Sequence, residues 1–435
     1  MPQVHCPALF ISAPASGQGK TTVTAALAYY HRQLGRRVTV FKTGPDYLDP
    51  LLLEQASGCP AEPLDLWMMG ESECRHALYR AACESDLILI EGAMGLFDGE
   101  PSSADLATAF GVPVAAVINA RGMAQTLAAV ALGLAHYRPA LHFKGVIANR
   151  LGSDRHRQLI EEALSPETPL LAHLPREDAL ALPSRHLGLV PPSEQDGVEA
   201  RIAAASQYLS DSPLTELPAP VTFEAYDTMR TLPASLAGHR IGVARDEAFS
   251  FIYAANLRLL EALGASLHFF SPLHDTALPD ALDAIWLPGG YPELHAKRLS
   301  DNTAMREALR AHHLAGRPLL GECGGMLYLQ STLKTLEGDV YPMLDILPGR
   351  GEMRTRSGCQ GMQSAPLPEG TFRGHAHHHS RSFDTLSPIV HGQRAKHPAP
   401  GEAIYRSGRT TGSYLHLYFP SDLAGCAALF TPDAV

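Results

Sequence analysis

No stretch of the chain reaches the roughly 18–20 consecutive apolar residues that a membrane-crossing helix needs. Positions 1–9 lack the basic head and long apolar stretch of a secretory signal. Both absences point to a cytoplasmic protein with no membrane partner. Disulfide chemistry is equally thin: seven cysteines in 435 residues make no scaffold, and an odd number is ordinary in a reducing compartment. Net positive charge is missing too. The formal balance is −10, which argues against nucleic acid as the main partner, although a local basic pocket could still take an acidic small molecule. There is no internal repeat and no low-complexity tract. What is present, 45% hydrophobic and 18% charged residues, suits globular domains, and the length suggests two or three of them.

Apolar runs and helical stripes alternate through the first half. Positions 8–13, 38–42, 87–90, 112–118 and 145–148 read as strands. Segments 20–34, 125–137 and 154–163 read as helices, the first with Val23, Leu27, Tyr30 and Leu34 on one stripe. Strands without polar alternation, separated by helices, indicate an α/β fold whose parallel sheet is covered on both faces. Proline punctuation then suggests a linker over 211–238 between a domain at 1–210 and another at 239–435. Strand–helix alternation restarts beyond it, with strands at 240–244, 267–270, 284–287 and 318–322 and a helix at 251–263. From about 339 onward the chain is rich in Gly and Pro, and pattern alone assigns no elements there.

The first strand runs into Pro14-Ala15-Ser16-Gly17-Gln18-Gly19-Lys20-Thr21-Thr22 and a helix, the setting in which a phosphate-binding loop is credible. Gly17 and Gly19 let backbone N–H groups curl round phosphate oxygens, and the helix N-terminus holding Lys20, Thr21 and Thr22 adds partial positive charge. Lys20 would reach the β- and γ-phosphates of ATP, and the Thr21 hydroxyl would coordinate Mg²⁺. Pro14 stands where such loops commonly begin with glycine. Two acidic segments follow later strands: Asp46 and Asp49 within 42–50, and Glu91 and Asp98 within 91–99. Ligands on open parallel sheets bind beyond the carboxyl ends of strands. Asp46 and Asp49 are equally compatible with turn and helix-cap chemistry. Glu91 is harder to explain that way, because an acid ending an apolar strand is costly unless paired or metal-bound.

In the second half, Leu319-Leu320-Gly321-Glu322-Cys323-Gly324-Gly325 is an apolar strand followed by Gly-x-Cys-x-Gly. That pattern is a nucleophile elbow with cysteine in place of serine. The helix N-terminus behind it is expected to stabilise thiolate. His416 is the candidate base. Oxyanion donors are expected from Gly289, Gly290 and Gly324. The run 374–379 carries four histidines and tempts a metal assignment, but no Cys or acidic partner stands at a recognisable spacing, so it reads as a polar loop.

Together these motifs resemble one family over nearly the whole chain: the cobyrinic acid a,c-diamide synthases of corrin biosynthesis, including the hydrogenobyrinic acid form. The phosphate loop, 42–50, 91–99, 183–189, 288–294 and 321–325 match its signatures in order. The resemblance implies a dethiobiotin-synthetase-like ATP·Mg²⁺ domain joined to a flavodoxin-like class I glutamine amidotransferase domain that lacks the third triad carboxylate. Tyr418, two residues beyond His416, agrees with that lack. By the same resemblance Cys323, aided by His416, would release ammonia from glutamine through a thioester, and the ammonia would travel internally. ATP would phosphorylate the a- and c-acetates of the corrin macrocycle acid, and ammonia would displace phosphate. Tyr47, Leu48 and Asp98 would face substrate; Asp46, Asp49 and Glu91 would serve Mg²⁺ or activation. Lys42 would touch phosphate and Asn149 adenine. A homodimer is one assembly consistent with this reading. There are departures: the family often reads Gly-His-Glu-Phe-His-Tyr-Ser where this chain has Gly374-His375-Ala376-His377-His378-His379-Ser380. Ala15 stands where partition-type ATPases carry a further lysine, which disfavours a switch ATPase. Cobyric acid synthase and nickel-sirohydrochlorin a,c-diamide synthase are the enzyme alternatives.

Overall fold

Seven parallel strands, most of them largely apolar, form the main path of the first sheet: β1 (Gln3–Ser12), β2 (Val38–Thr43), β3 (Glu62–Leu64), β4 (Leu87–Glu91), β5 (Val114–Asn119), β6 (Phe143–Leu151) and β7 (Leu170–Pro175). The structure, a computed structural model, describes residues 2–44, 46–177, 180, 184–185, 188–189, 197–225, 233–356 and 358–432. The strand order is β3-β2-β4-β1-β5-β6-β7, with every neighbouring pair parallel. Successive residues point to opposite faces. Ala8, Phe10, Ile88 and Ile90 accordingly enter one core, and Leu9, Ile11, Leu87 and Leu89 the other. A sheet buried on both faces explains why its strands show no polar alternation.

Compact units divide between 229 and 230. The segment expected to be linker, 211–238, is only partly that. It holds a 3₁₀ turn at Pro213–Thr215 and a strand at Pro220–Glu224 that pairs antiparallel with the start of β1. Pro218 just before this short strand and Pro220 at its start gave the sequence its linker character, since the first position of a strand tolerates a missing donor.

The second unit carries a ten-stranded sheet. Its parallel part runs Ser266–Phe270, Arg240–Ala244, Ala284–Leu287, Leu319–Glu322, Thr410–Ser413. An antiparallel part continues it through Pro400–Ser407, Val390–Arg394, Gln360–Leu367, Gly370–His377 and Leu415–Tyr418. A small sheet of 332–334, 340–342, 350–353 and 380–383 lies beside it in sequence. Gln360–Leu367 alternates buried and part-exposed residues, as a sheet covered on one face does.

Leu89 is fully buried in β4. Leu89→Ala is expected to destabilise the first unit by about 2–5 kcal/mol, read as a shift of its urea midpoint at unchanged slope.

Candidate functional site

Helix α1 (Lys20–Gln33) starts directly after the glycine loop, with Gly19 at a φ of 98°. A side chain there is excluded twice: by that dihedral, and because a Cβ would lie 2.1 Å from Asn149 Nδ2. Asn149 Nδ2 donates to Gln18 O at 2.8 Å, and Gln18 Oε1 accepts the Asn119 N–H at 2.8 Å. The ends of β5 and β6 therefore pin the loop, and Asn149 stands against it. Lys20 is buried, and its Nζ donates to Met94 O at 2.6 Å. Burial, then the neighbouring Lys42 ammonium, lowers its pKa.

A charge cluster lies beyond the ends of β2 and β4. Lys42 Nζ stands 2.6 Å from Asp49 Oδ2, 2.6 Å from Glu91 Oε1 and 3.8 Å from Asp46 Oδ2. Thr21 Oγ1 donates to Glu91 Oε1 at 2.8 Å and Asp49 Oδ2 at 3.2 Å. Burial alone would lower Lys42, but the carboxylates of Asp49, Glu91 and Asp46 outweigh it and hold the ammonium above its ordinary range. Burial raises Glu91, against the pull of Lys42. Asp46 is pushed up to about 7 by burial and by the Asp49 carboxylate. In this state Lys42 neutralises acids, where the sequence led to an expectation of a phosphate contact.

Among the described residues no three His, Cys, Asp or Glu side chains form a ready-made metal group. The donor set still fits Mg²⁺ bound jointly with phosphate and water. Thr21, Asp49 and Glu91 offer hard oxygens, and Glu91 Oε2 is buried without a hydrogen-bond partner among the described residues. Tyr47 precedes helix α2 (Leu48–Ser57); the side chain of Leu48 lies outside the described residues. Asp98 is exposed, and its Oδ2 accepts the Gly95 N–H at 3.0 Å. Of the motif at 183–189, residues 184–185 and 188–189 form a short antiparallel pair, but its side chains fall outside the described residues.

In the second unit, Cys323 sits between strand Leu319–Glu322 and the six-residue helix Gly324–Leu329 with φ 47° and ψ −102°. A non-glycine residue held at positive φ is strained, and such strain gathers at functional turns. Its N–H donates to Ser413 O at 2.8 Å. A Cβ at Gly325 would lie 2.0 Å from Leu287 O, and one at Gly324 would lie 3.0 Å from Gly290 N. Glycine is thus required where the elbow packs on residues 287–290. The Phe251 N–H donates to Gly289 O at 3.0 Å. Planarity of the peptide then aims the Gly290 N–H the opposite way. His416, on strand Leu415–Tyr418, is 1% exposed and packs so closely on Gly289 that a Cβ there would meet its Cε1 at 2.2 Å. Cys323, Gly324, Gly289, Gly290 and His416 are gathered round one short loop.

Two expectations are corrected here. The thiol is not poised as thiolate: burial, then the Glu293 charge, pushes Cys323 above its ordinary range, because a short helix N-terminus does not offset full desolvation. Burial likewise lowers His416 to about 3. The resting pair is a neutral thiol and a neutral imidazole. Second, the histidine run is only in part a polar loop: His377 is exposed, but two of the rings are inside. His375 lies in strand Gly370–His377, is 1% exposed and stacks on His416 at 5.0 Å between ring centres. His378 is buried, stacks on Tyr414 at 4.0 Å, and its Nε2 lies 2.9 Å from Glu402 Oε1. Packing against segments distant in sequence put these two rings inside, which local polarity could not foretell. His378, Glu402, Tyr414, Arg354 and Ser380 line a cavity of about 370 Å³.

Glu322 is a buried acid that motif spacing does not single out. It is 2% exposed; its Oε1 accepts the Leu417 N–H at 2.8 Å and its Oε2 the Trp286 Nε1–H at 2.9 Å. Burial pushes it up to about 8. The signal was available: like Glu91, it is an acid ending an apolar strand.

A phosphate-loop α/β unit followed by a cysteine-elbow unit defines a glutamine-dependent amide ligase. The family models agree, a CobQ/CobB/MinD/ParA nucleotide binding domain matching residues 9–190 and a CobB/CobQ-like glutamine amidotransferase domain matching 240–424. The chain belongs to the family of hydrogenobyrinate and cobyrinate a,c-diamide synthases. It is 55% identical to the hydrogenobyrinate a,c-diamide synthase of Pseudomonas aeruginosa over 99% of both chains. To that of Stutzerimonas stutzeri it is 54% identical, over 98% of this chain and 99% of the relative. The cobyrinate a,c-diamide synthase of Herminiimonas arsenicoxydans is 46% identical, over 98% of this chain and 97% of the relative.

Removing Lys42 leaves buried carboxylates unpaired. Lys42→Met should destabilise the first unit by about 3–5 kcal/mol in urea unfolding, and adding Glu91→Gln should recover part of the loss. For Cys323, the raised pKa predicts that alkylation by iodoacetamide in the absence of glutamine keeps rising with pH beyond about 8.5, without the neutral-pH plateau of an activated thiolate.

Proposed function

We propose that the chain converts the a- and c-acetate carboxylates of cobyrinic or hydrogenobyrinic acid to amides, a step of cobalamin biosynthesis, with glutamine as nitrogen source and ATP as activator. The observation that carries this reading is the gathering of Cys323, His416 and the Gly289–Gly290 peptide round one loop in a chain that also holds the Lys20 phosphate loop. Identity above one half to named a,c-diamide synthases supports the choice of substrate.

The glutaminase half runs on neutral groups. Cys323 Sγ attacks the glutamine amide carbon as its proton passes to His416, a base that burial keeps unprotonated. The Gly290 and Gly324 N–H groups receive the developing oxyanion, one such donor contributing about 2.7–4 kcal/mol. The protonated amine leaves as ammonia, and water hydrolyses the thioester. Cys323 shares this neighbourhood with the cavity, since Tyr414 follows the Ser413 carbonyl that accepts its N–H. Glu402 and Arg354 in that lining carry charges complementary to the ammonium and carboxylate of an amino acid.

In the first unit, Lys20 and the loop N–H groups draw charge from the phosphates of ATP, while Asn149 meets the base. Thr21, Asp49 and Glu91 would hold Mg²⁺, which when bound neutralises phosphate charge. Asp46 and Asp98 with Tyr47 and Leu48 border the acid to be activated. A carboxylate is a poor electrophile because oxide is a poor leaving group. Transfer of the γ-phosphoryl group to the acetate oxygen releases ADP, and ammonia then displaces phosphate to give the amide.

Cys323→Ala should lower glutamine-supported diamide formation and ammonia release by at least about 10³-fold, with added ammonium still supporting synthesis. Lys20→Ala should remove diamide formation with either nitrogen source. Mass spectrometry of the macrocycle with an ammonia assay reads the outcome; undiminished glutamine-supported synthesis by Cys323→Ala would refute the assignment.

A further inference from the structure

Two residues beyond His416 the sequence has Tyr418, which is not a carboxylate that could orient the base. Strand Leu415–Tyr418 ends the sheet order and pairs with Gly370–His377 on one side, Leu417 opposite Gly374. Its other side is met by side chains instead of a strand. The Leu417 N–H donates to Glu322 Oε1 at 2.8 Å, and Leu417 O accepts Asn256 Nδ2 at 2.8 Å. The Phe419 N–H donates to Asn256 Oδ1 at 2.9 Å. Glu322 and Asn256 are 2% and 1% exposed. The second oxygen of Glu322 accepts Trp286 Nε1–H at 2.9 Å, two residues before the Pro288-Gly289-Gly290 loop.

We infer that Glu322 is a positioning residue for His416, acting through the backbone of its strand and not on the imidazole. One carboxyl group ties three strands: its own, which presents Cys323; Leu415–Tyr418, which presents His416; and Ala284–Leu287, which leads to the oxyanion loop. Asn256 completes the hold on Leu417 from the opposite polarity. Neither group touches the reacting atoms; both fix where His416 sits. Glu322 faces two N–H donors, which favour its ionised, two-acceptor form against the effect of burial. Glutamine offers one acceptor and one donor, so a donor-to-donor clash arises with either Trp286 or Leu417. If Trp286 becomes phenylalanine the second donor disappears, and a glutamine oxygen can serve Leu417 alone.

This inference rests on the reading of Cys323 and His416 as the glutaminase pair, and a four-enzyme cycle separates the two. Glutamine hydrolysis is measured for the full chain, Glu322→Gln, Trp286→Phe and the double variant, with Cys323→Ala in parallel. Glu322→Gln should lower kcat about tenfold or more while KM for glutamine stays within about twofold. In the Trp286→Phe background the same change should lower kcat by less than about threefold. The rate of Cys323 labelling by the glutamine-like electrophile 6-diazo-5-oxonorleucine should follow kcat through the cycle. An equal loss in both backgrounds, a Glu322→Gln enzyme with ordinary kcat, or unfolding of both glutamine variants would overturn the positioning role. Hydrolysis surviving in Cys323→Ala would instead overturn the underlying reading.

Discussion

Each unit of this chain ends an apolar parallel strand in a buried carboxyl group, and the polar architecture is built round that constraint. Glu91 closes Leu87–Glu91, and Glu322 closes Leu319–Glu322, both with almost no exposure. Desolvating a carboxylate is unfavourable unless other groups replace its water. The first unit supplies a cation, Lys42, with the Thr21 hydroxyl as a second donor to the same oxygen. The second supplies two neutral donors, Trp286 and the Leu417 backbone. The solutions suit different chemistry. A paired cluster can exchange partners when phosphate and a cation arrive. A carboxyl group clasped by an indole and a backbone amide is a fixed joint.

Glycine does the complementary work. At Gly19, Gly289, Gly324 and Gly325 a single carbon would collide with Asn149, His416, the Gly290 backbone or Leu287 O. These positions bring backbone N–H groups and rings closer to the reacting region than side chains allow. The catalytic reading of the second unit depends on that closeness more than on titration. Burial leaves both sulfur and imidazole uncharged at rest, so the driving force lies in proton transfer during attack and in N–H groups already oriented toward the oxyanion.

Much of the candidate site was legible because its elements are local. Strand, glycine turn and helix lie within a few residues of one another around Lys20 and around Cys323, and the short-range pattern carries the geometry. Glu91 was legible for a different reason, an acid at the end of an apolar run. That same rule applies to Glu322, the acid that ends the apolar strand before Cys323. His375, His378, Asn256 and Glu402 were not legible. Their surroundings come from segments far away in sequence, as when His375 pairs opposite His416 and Asn256 reaches Leu417.

By itself the sequence determined the parallel, doubly covered first sheet, the two glycine-flanked turns and the residue types that could carry chemistry. Periodicity and steric need are properties of neighbouring residues. Only the tertiary structure decided that Lys42 rests on Asp49 and Glu91, that Pro220–Glu224 joins the first sheet, and that His375 and His378 are inside. It also decided that the Cys323 thiol is held protonated. Those outcomes depend on which distant strands pair and how much water they displace, and desolvation is a sum over neighbours that no local stretch of sequence contains.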